Sequence, residues 1–340
     1  MSSVQMALQS VRVAPAGWRI LALGMLLLLA GPARGADESP GTKSTPAQRF
    51  VYIGTYVNQI NSMSLKEEKV QIDFHVWFRW KGDDLKPLET FDLTNGDIDA
   101  KEDIYQATSG GFHYAVCRCL ATIQKQWNVR DFPLDNHEIT IEIEDADLEE
   151  EKLKYLPDTE NCNLSPDARV PGWDLSAGDA VVTSHRSNTN YGDIDLPSGH
   201  ESNWSRYIYT VQMTRTGYGY FGKLFTGLFI AVGISLIGLL TSPEQLDSKF
   251  ALSVGAMFAA VASEYLVTAS LPDSNVLTMA DKLHILSFLF IFLTLAQATL
   301  AHKIFVSGRE ATATWLDRAA FFVLFVGYIA LVSAVVIWKQ

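Results

Sequence analysis

The chain has 340 residues, 48% of them hydrophobic and 19% charged, with a formal net charge of −11. That exceeds one ordinary soluble domain and suits two units, one in water and one in lipid. The acidic balance argues against nucleic acid as a partner, which requires a basic patch, and no phosphate-cradling glycine loop, CxxC pair or HExxH motif marks an enzyme or a common metal site.

Residues 1–36 read as a secretory signal peptide. Arg12 and Arg19 precede an apolar run, Ile20–Ala30, which ends in Gly31, Pro32 and small residues up to Ala36. The run is short for a membrane span of about 20 residues, and cleavage is expected near Ala36; an uncleaved anchor is the alternative.

Residues 37–216 read as a β domain. After a polar lead-in, strands are expected at Val51–Ile60, Val70–Trp80, Phe112–Ile123, Glu138–Glu144, Ala180–His185 and Trp204–Thr214, separated by Gly, Asn, Asp and Pro punctuation. The clearest is Val70–Trp80. Ile72, Phe74, Val76, Phe78 and Trp80 share one face, and Asp73, His75, Trp77 and Arg79 share the other. Many short strands with no long amphipathic helix predict an antiparallel β-sandwich, outside the cytoplasm because it follows the leader. Trp77 stands on the polar face of its strand, while Phe91, Tyr155, Tyr191 and Trp204 lie in or beside polar connections. Together such rings form a cage for an organic cation; singly, each packs under its own loop. The acidic run that includes Asp145, Asp147 and Glu150 offers oxygen ligands for a modulatory calcium ion, or is a solvated loop. Cys117, Cys119 and Cys162 are expected as free thiols, since two residues on one strand face have poor disulfide geometry.

Residues 217–340 carry four apolar segments, Tyr218–Leu240, Phe250–Leu271, Leu283–Ala301 and Ala319–Trp338, each long enough to span a bilayer. Lys303, Arg309 and Arg318 lie in or beside the link before the last segment, which assigns that link to the cytoplasm. The second segment is the least apolar. Its third and fourth positions give Ala251, Gly255, Phe258, Ala262 and Tyr265 as one helical stripe, with Asp247 a turn below. In an assembly, that helix can line a water-filled path with a carboxylate ring at one mouth. Close packing of small residues inside a bundle is the competing reading. Glu264 falls just off the stripe and is expected to link to a neighbouring helix, while Lys249 is expected toward the cytoplasmic rim.

The order of these parts resembles the pentameric ligand-gated ion channels. Arg130-Asp-Phe-Pro-Leu-Asp135 resembles the family's Phe-Pro-x-Asp loop, Val76-Trp-Phe-Arg-Trp80 its second strand, and Arg215 and Leu271-Pro272 stand where the family places them. Lys125 and Ile139 occupy the positions of the bridged cysteines of animal members, and the link after the third span is short, as in the bacterial branch. Where the family's first span carries a proline, Gly227 and Gly233 are expected to supply the irregularity. The resemblance implies a homopentamer in a bacterial inner membrane, with the second helix around the pore and Asp247 setting selectivity for monovalent cations. Phe258 and Tyr265 take the positions of hydrophobic gates. It places Phe91, Tyr155 and Tyr191 on one side of an agonist site and Trp77 on the neighbouring subunit. It also presses Phe132, Pro133 and Asp135, with the hairpin tip around Glu67, against the loop containing Pro272, and pairs Arg215 with Asp131 or Asp135. A cation channel opened by a small amine, or by protons or hydroxide acting on the sandwich histidines, is the leading reading. A membrane-anchored small-molecule sensor that conducts nothing is the alternative.

Overall fold

Alternation of apolar and polar residues organises the first half of the molecule into strands β1 (Arg49–Ser64), β2 (Lys69–Trp80), β3 (Phe91–Leu93), β4 (Gly96–Ser109), β5 (Phe112–Gln124), β6 (Asn136–Asp145), β7 (Leu153–Pro157), β8 (Asn163–Leu164), β9 (Trp173–Ser187) and β10 (Ser202–Arg215), with a four-residue helix α1 (Pro87–Thr90) before β3. The computed structural model describes residues 48–338 except 191, 193, 195, 196, 198 and 200. The expected leader and Tyr191 lie outside the described residues.

Two sheets form, one ordered β4-β5-β2-β1-β7 with β8 also paired to β1, the other β3-β6-β10-β9. The pairings are antiparallel except those of β7 and β8 with β1, which run parallel. The expected purely antiparallel sandwich is thus corrected at one edge, where two short pieces are laid beside a long strand. β4 is not legible in the sequence, because most of its residues are exposed and its charges hide the alternation. Such charges suit an edge strand, whose unpaired backbone is protected from other chains by them.

The core follows from the register. On β2, Ile72, Phe74 and Phe78 stand opposite the smaller Ala121, Cys119 and Ala115 of β5. On the other sheet, Ile141 and Ile143 of β6 face Tyr209 and Tyr207 of β10. All of these side chains are fully buried. Large against small lets each layer fill without voids. Across the layers, the rings of Phe78 and Phe91 are 5.3 Å apart, and the backbone N–H of Tyr155 donates to Ser205 Oγ at 2.9 Å. The β4–β5 hairpin turns on Gly110 and Gly111, whose φ values of 57° and 77° favour glycine at both positions.

Four helices complete the chain: α2 (Gly219–Gly238), α3 (Leu246–Thr268), α4 (Met279–Val306) and α5 (Glu310–Ile337). Each is long and apolar enough to cross a membrane, which makes the chain a multi-pass membrane protein. α2 is an unbroken helix through Gly227 and Gly233, so the irregularity expected there does not form. α4 starts on a capping box, with Asp281 N–H donating to Thr278 Oγ1 at 3.1 Å and Thr278 N–H to Asp281 Oδ2 at 2.8 Å. α4 packs against the other three helices, and Tyr328 of α5 is joined to it by Ser287 at 2.8 Å.

Phe74→Ala should lower the unfolding midpoint of the sandwich, at a cost of roughly 3–5 kcal/mol. Thermal unfolding of detergent-solubilised protein, followed by its β signal in circular dichroism, measures this; an unchanged midpoint would show that the core does not rest on this layer.

Candidate functional site

Asp247, Ala251, Gly255, Phe258, Ala262 and Tyr265 all lie on the exposed side of α3, with Phe258 71% and Tyr265 74% accessible. The other side of the helix, Lys249, Ser253, Ala256, Ala260 and Val267, is buried against the bundle. The expected stripe therefore lies within the part of α3 that its own subunit leaves uncovered, together with Phe250, Val254, Val261 and Leu266. α5 is also exposed, but it is the most apolar of the four helices and suits lipid directly. α3 is the least apolar, and its free face ends in a carboxylate.

Three sets of polar contacts hold the buried side of α3. Ser253 Oγ lies 3.1 Å from Ser235 Oγ of α2, and Ser235 also bonds Thr294 of α4. His284 of α4 directs Nδ1 at its own Ala280 carbonyl, 2.8 Å away, and Nε2 at Ser263 Oγ, 3.2 Å away. The link to the neighbouring helix thus runs through Ser263, next to the expected Glu264, which is half-buried. Lys249 does not reach toward the rim. Its Nζ is buried and lies 2.5 Å from Asp317 Oδ2 of α5. An ionisable residue early in an apolar span is the signal that points to Asp317 from sequence.

The second centre is where sandwich and helices meet. Arg215, at the end of β10, donates from Nε to Asp135 Oδ1 at 3.1 Å, and His137 Nε2 lies 2.6 Å from Asp135 Oδ2. The Asp135 and His137 side chains are 1% and 3% exposed. The guanidinium lies 3.8 Å from the Trp173 ring and 4.8 Å from the Tyr220 ring of α2, a stacking geometry that suits arginine over lysine. Of the two expected carboxylate partners, Asp135 is the one engaged. Burial alone would raise its pKa, but the hydrogen bond with His137 and the charge of Arg215 outweigh that and hold it below the ordinary 3.8. The same loop touches two membrane helices. Phe132 meets Tyr220 edge to face at 6.1 Å, and the Arg130 carbonyl accepts from Met279 N–H, at the start of α4, at 2.7 Å. Pro133 is buried beside Phe132, while Asp131 and Pro272 are half-buried and Glu67 is exposed. The observed hydrogen bond from this loop to the helical half goes to the start of α4, beyond the expected contact at Pro272.

The expected aromatic set divides. Phe91 and Tyr155 are buried in the sandwich core, 5.3 and 6.3 Å from Phe78, so neither is a wall open to a ligand. The alternation that buries Phe91 at a strand start is too short to read from sequence. Trp77 lies half-buried over Gly54, where a Cβ would come within 2.3 Å of its ring. It donates from Nε1 to Asp158 Oδ2 at 3.0 Å and lines a cavity of about 350 Å³ with Arg79, Tyr114 and Asn161. Trp204 lines a separate cavity of about 590 Å³ whose wall includes Asp92, Glu144, Asp145, Asp147 and Glu149. Asp145 spends its oxygens inside the protein, on Thr90 and on the backbone N–H groups of Asp147 and Leu148, and Glu150 pairs with Lys154. Among the described residues no cluster of three or more His, Cys, Asp or Glu side chains can hold a metal ion, so Asp145, Asp147 and Glu150 do not assemble the expected oxygen cage.

No protein-family model matches the chain. Over 218 residues it is 22% identical to the proton-gated ion channel of Gloeobacter violaceus, a match that covers 64% of this chain and 57% of that protein. This chain is similar to a proton-gated ion channel. It matches a little over half the length of that curated relative. A β-rich domain followed by four apolar helices fits a pentameric ligand-gated channel.

Removing Arg215 leaves the Asp135 carboxylate buried beside His137 alone. Arg215→Ala should cost roughly 3–5 kcal/mol, read as loss of assembled protein or a lowered thermal midpoint, and wild-type stability would contradict it. Because the Asp135 pKa is depressed, its contribution is complete above the ordinary 3.8 and is lost as pH falls through the lower folded value. Asp135→Asn should therefore remove part of the acid-induced loss of stability below about pH 4, measured by thermal melts across pH.

Proposed function

We propose that the chain is one subunit of a homopentameric ion channel in which α3 lines a pore selective for monovalent cations. The observation that carries this reading is the uncovered, only moderately apolar face of α3, from Asp247 to Tyr265. Bundled around an axis, such faces enclose water. A ring of Asp247 carboxylates at a narrow mouth attracts cations and repels anions. Rings of Phe258 and Tyr265 are bulky constrictions able to close the path by dewetting. The sandwich meets the starts of α2 and α4, away from the link that carries Arg309, which supports a place outside the cytoplasm.

Gating begins in the sandwich and reaches the helices through Arg130–Asp135. A proton stimulus is supported by the named activity of the relative. A small amine is supported by the cavity beside Trp204, whose lining includes Asp92, Asp147 and Glu149 with one lysine, Lys152. Trp77, in a different cavity, then contributes from the neighbouring subunit.

Voltage-clamp recording during pH steps in both directions, under a NaCl gradient, tests the reading. Current should reverse near the sodium potential, and Asp247→Ala should lower the sodium-to-chloride permeability ratio by roughly tenfold. Reversal near the chloride potential would remove Asp247 as the selectivity residue. Silence at every pH and with small amines would favour the non-conducting sensor.

A further inference from the structure

We propose that Asp317 is a selectivity-determining residue that acts through Lys249. By cancelling the lysine's charge inside the bundle, it leaves the negative charge of Asp247 uncompensated at that end of α3. The inference rests on the pore reading above and extends it to a helix that does not face the pore.

Lys249 and Asp247 are two residues apart on one helix, a rotation of about 200°, so the carboxylate faces outward and the lysine inward. In sequence the two charges balance; in the fold they do not. Lys249 is 1% exposed, and its Nζ lies 2.5 Å from Asp317 Oδ2, itself on a side chain 2% exposed. Gln297 Nε2 of α4 donates to the other oxygen, Asp317 Oδ1, at 3.4 Å. The lysine's charge is thus met by a carboxylate on α5, and that carboxylate is braced from α4. Two opposite charges at this separation present a short dipole to the pore in place of a cation. Without Asp317, a lone ammonium within the bundle is costly. Its long stem lets the head move toward water at the helix end, the same water that Asp247 faces.

Reversal potentials under a NaCl gradient, for the full-length wild-type protein, Lys249→Met, Asp317→Asn and the double variant Lys249→Met/Asp317→Leu, test the proposal. Asp317→Asn should lower the sodium-to-chloride permeability ratio by roughly tenfold. The double variant should keep the wild-type ratio, because an apolar pair can replace a buried ion pair, and Lys249→Met, which leaves the Asp317 carboxylate uncancelled, should not lower it. A wild-type ratio in Asp317→Asn overturns the proposal. So does a raised ratio in the double variant, which would mean that the lysine had acted on the pore uncancelled, or a lowered ratio in Lys249→Met; these two variants decide the matter if Asp317→Asn fails to reach the membrane. A wild-type protein that passes no current, or reverses at the chloride potential, would bring down the pore reading itself. That result is distinct from a cation-selective wild type whose ratio Asp317 does not influence.

Discussion

Lipid accepts a helix whose outer face is largely apolar, and α5 presents such a face beyond Arg318. α3 cannot be treated in the same way. Its uncovered side includes Asp247 and the stripe Ala251, Gly255, Phe258, Ala262 and Tyr265 beside apolar residues such as Val254 and Leu266, while Ser253, Ser263 and the Lys249 ammonium are turned inward and bonded. Within one subunit Lys249, Ser253 and Ser263 each have a partner on α5, α2 or α4, and the Asp247 carboxylate lies on the exposed side. The buried contacts therefore fix the rotation of α3. That rotation decides which residues an assembly would present to ions.

Control of such a helix must come from the sandwich, and the junction supplies a rigid point of contact. Arg215 is held on three sides, by Asp135, Trp173 and Tyr220. Because the pair is buried, breaking it on one side only is expensive, so the anchor moves as a unit with the loop that bears Phe132 and Arg130. That loop contacts the start of α2 through Tyr220 and the start of α4 through Met279. α3 in turn is tied to α4 through His284 and Ser263. A continuous chain of contacts thus runs from the sandwich to the helix proposed to line the pore.

Much of this was readable in the chain because its signals are periodic. Period-two alternation located β2, β5, β6 and β10, and apolar length located the four helices. The stripe on α3 came from helical spacing alone. What escaped detection depended on partners distant in sequence. β4 lacks apolar contrast because it is an exposed edge. Phe91 and Tyr155 resemble loop aromatics until β3 and β7 draw them into the core. Lys249 reads as a rim residue until Asp317, sixty-eight positions later, is placed beside it. The choice of Asp135 over Asp131 required the turn of the loop itself.

The claim that α3 turns its Asp247-to-Tyr265 face to water is tested most directly with two adjacent positions. Gly255 is exposed and Ala256 is buried, so Gly255→Cys and Ala256→Cys place a thiol on opposite sides of one helix turn. Both are made in a background with the half-buried Cys162 replaced by serine, and a water-soluble thiol reagent is applied to the open channel. The account predicts rapid, irreversible block of the Gly255→Cys current and an unaffected Ala256→Cys current. Modification of Ala256→Cys with Gly255→Cys left untouched would contradict it.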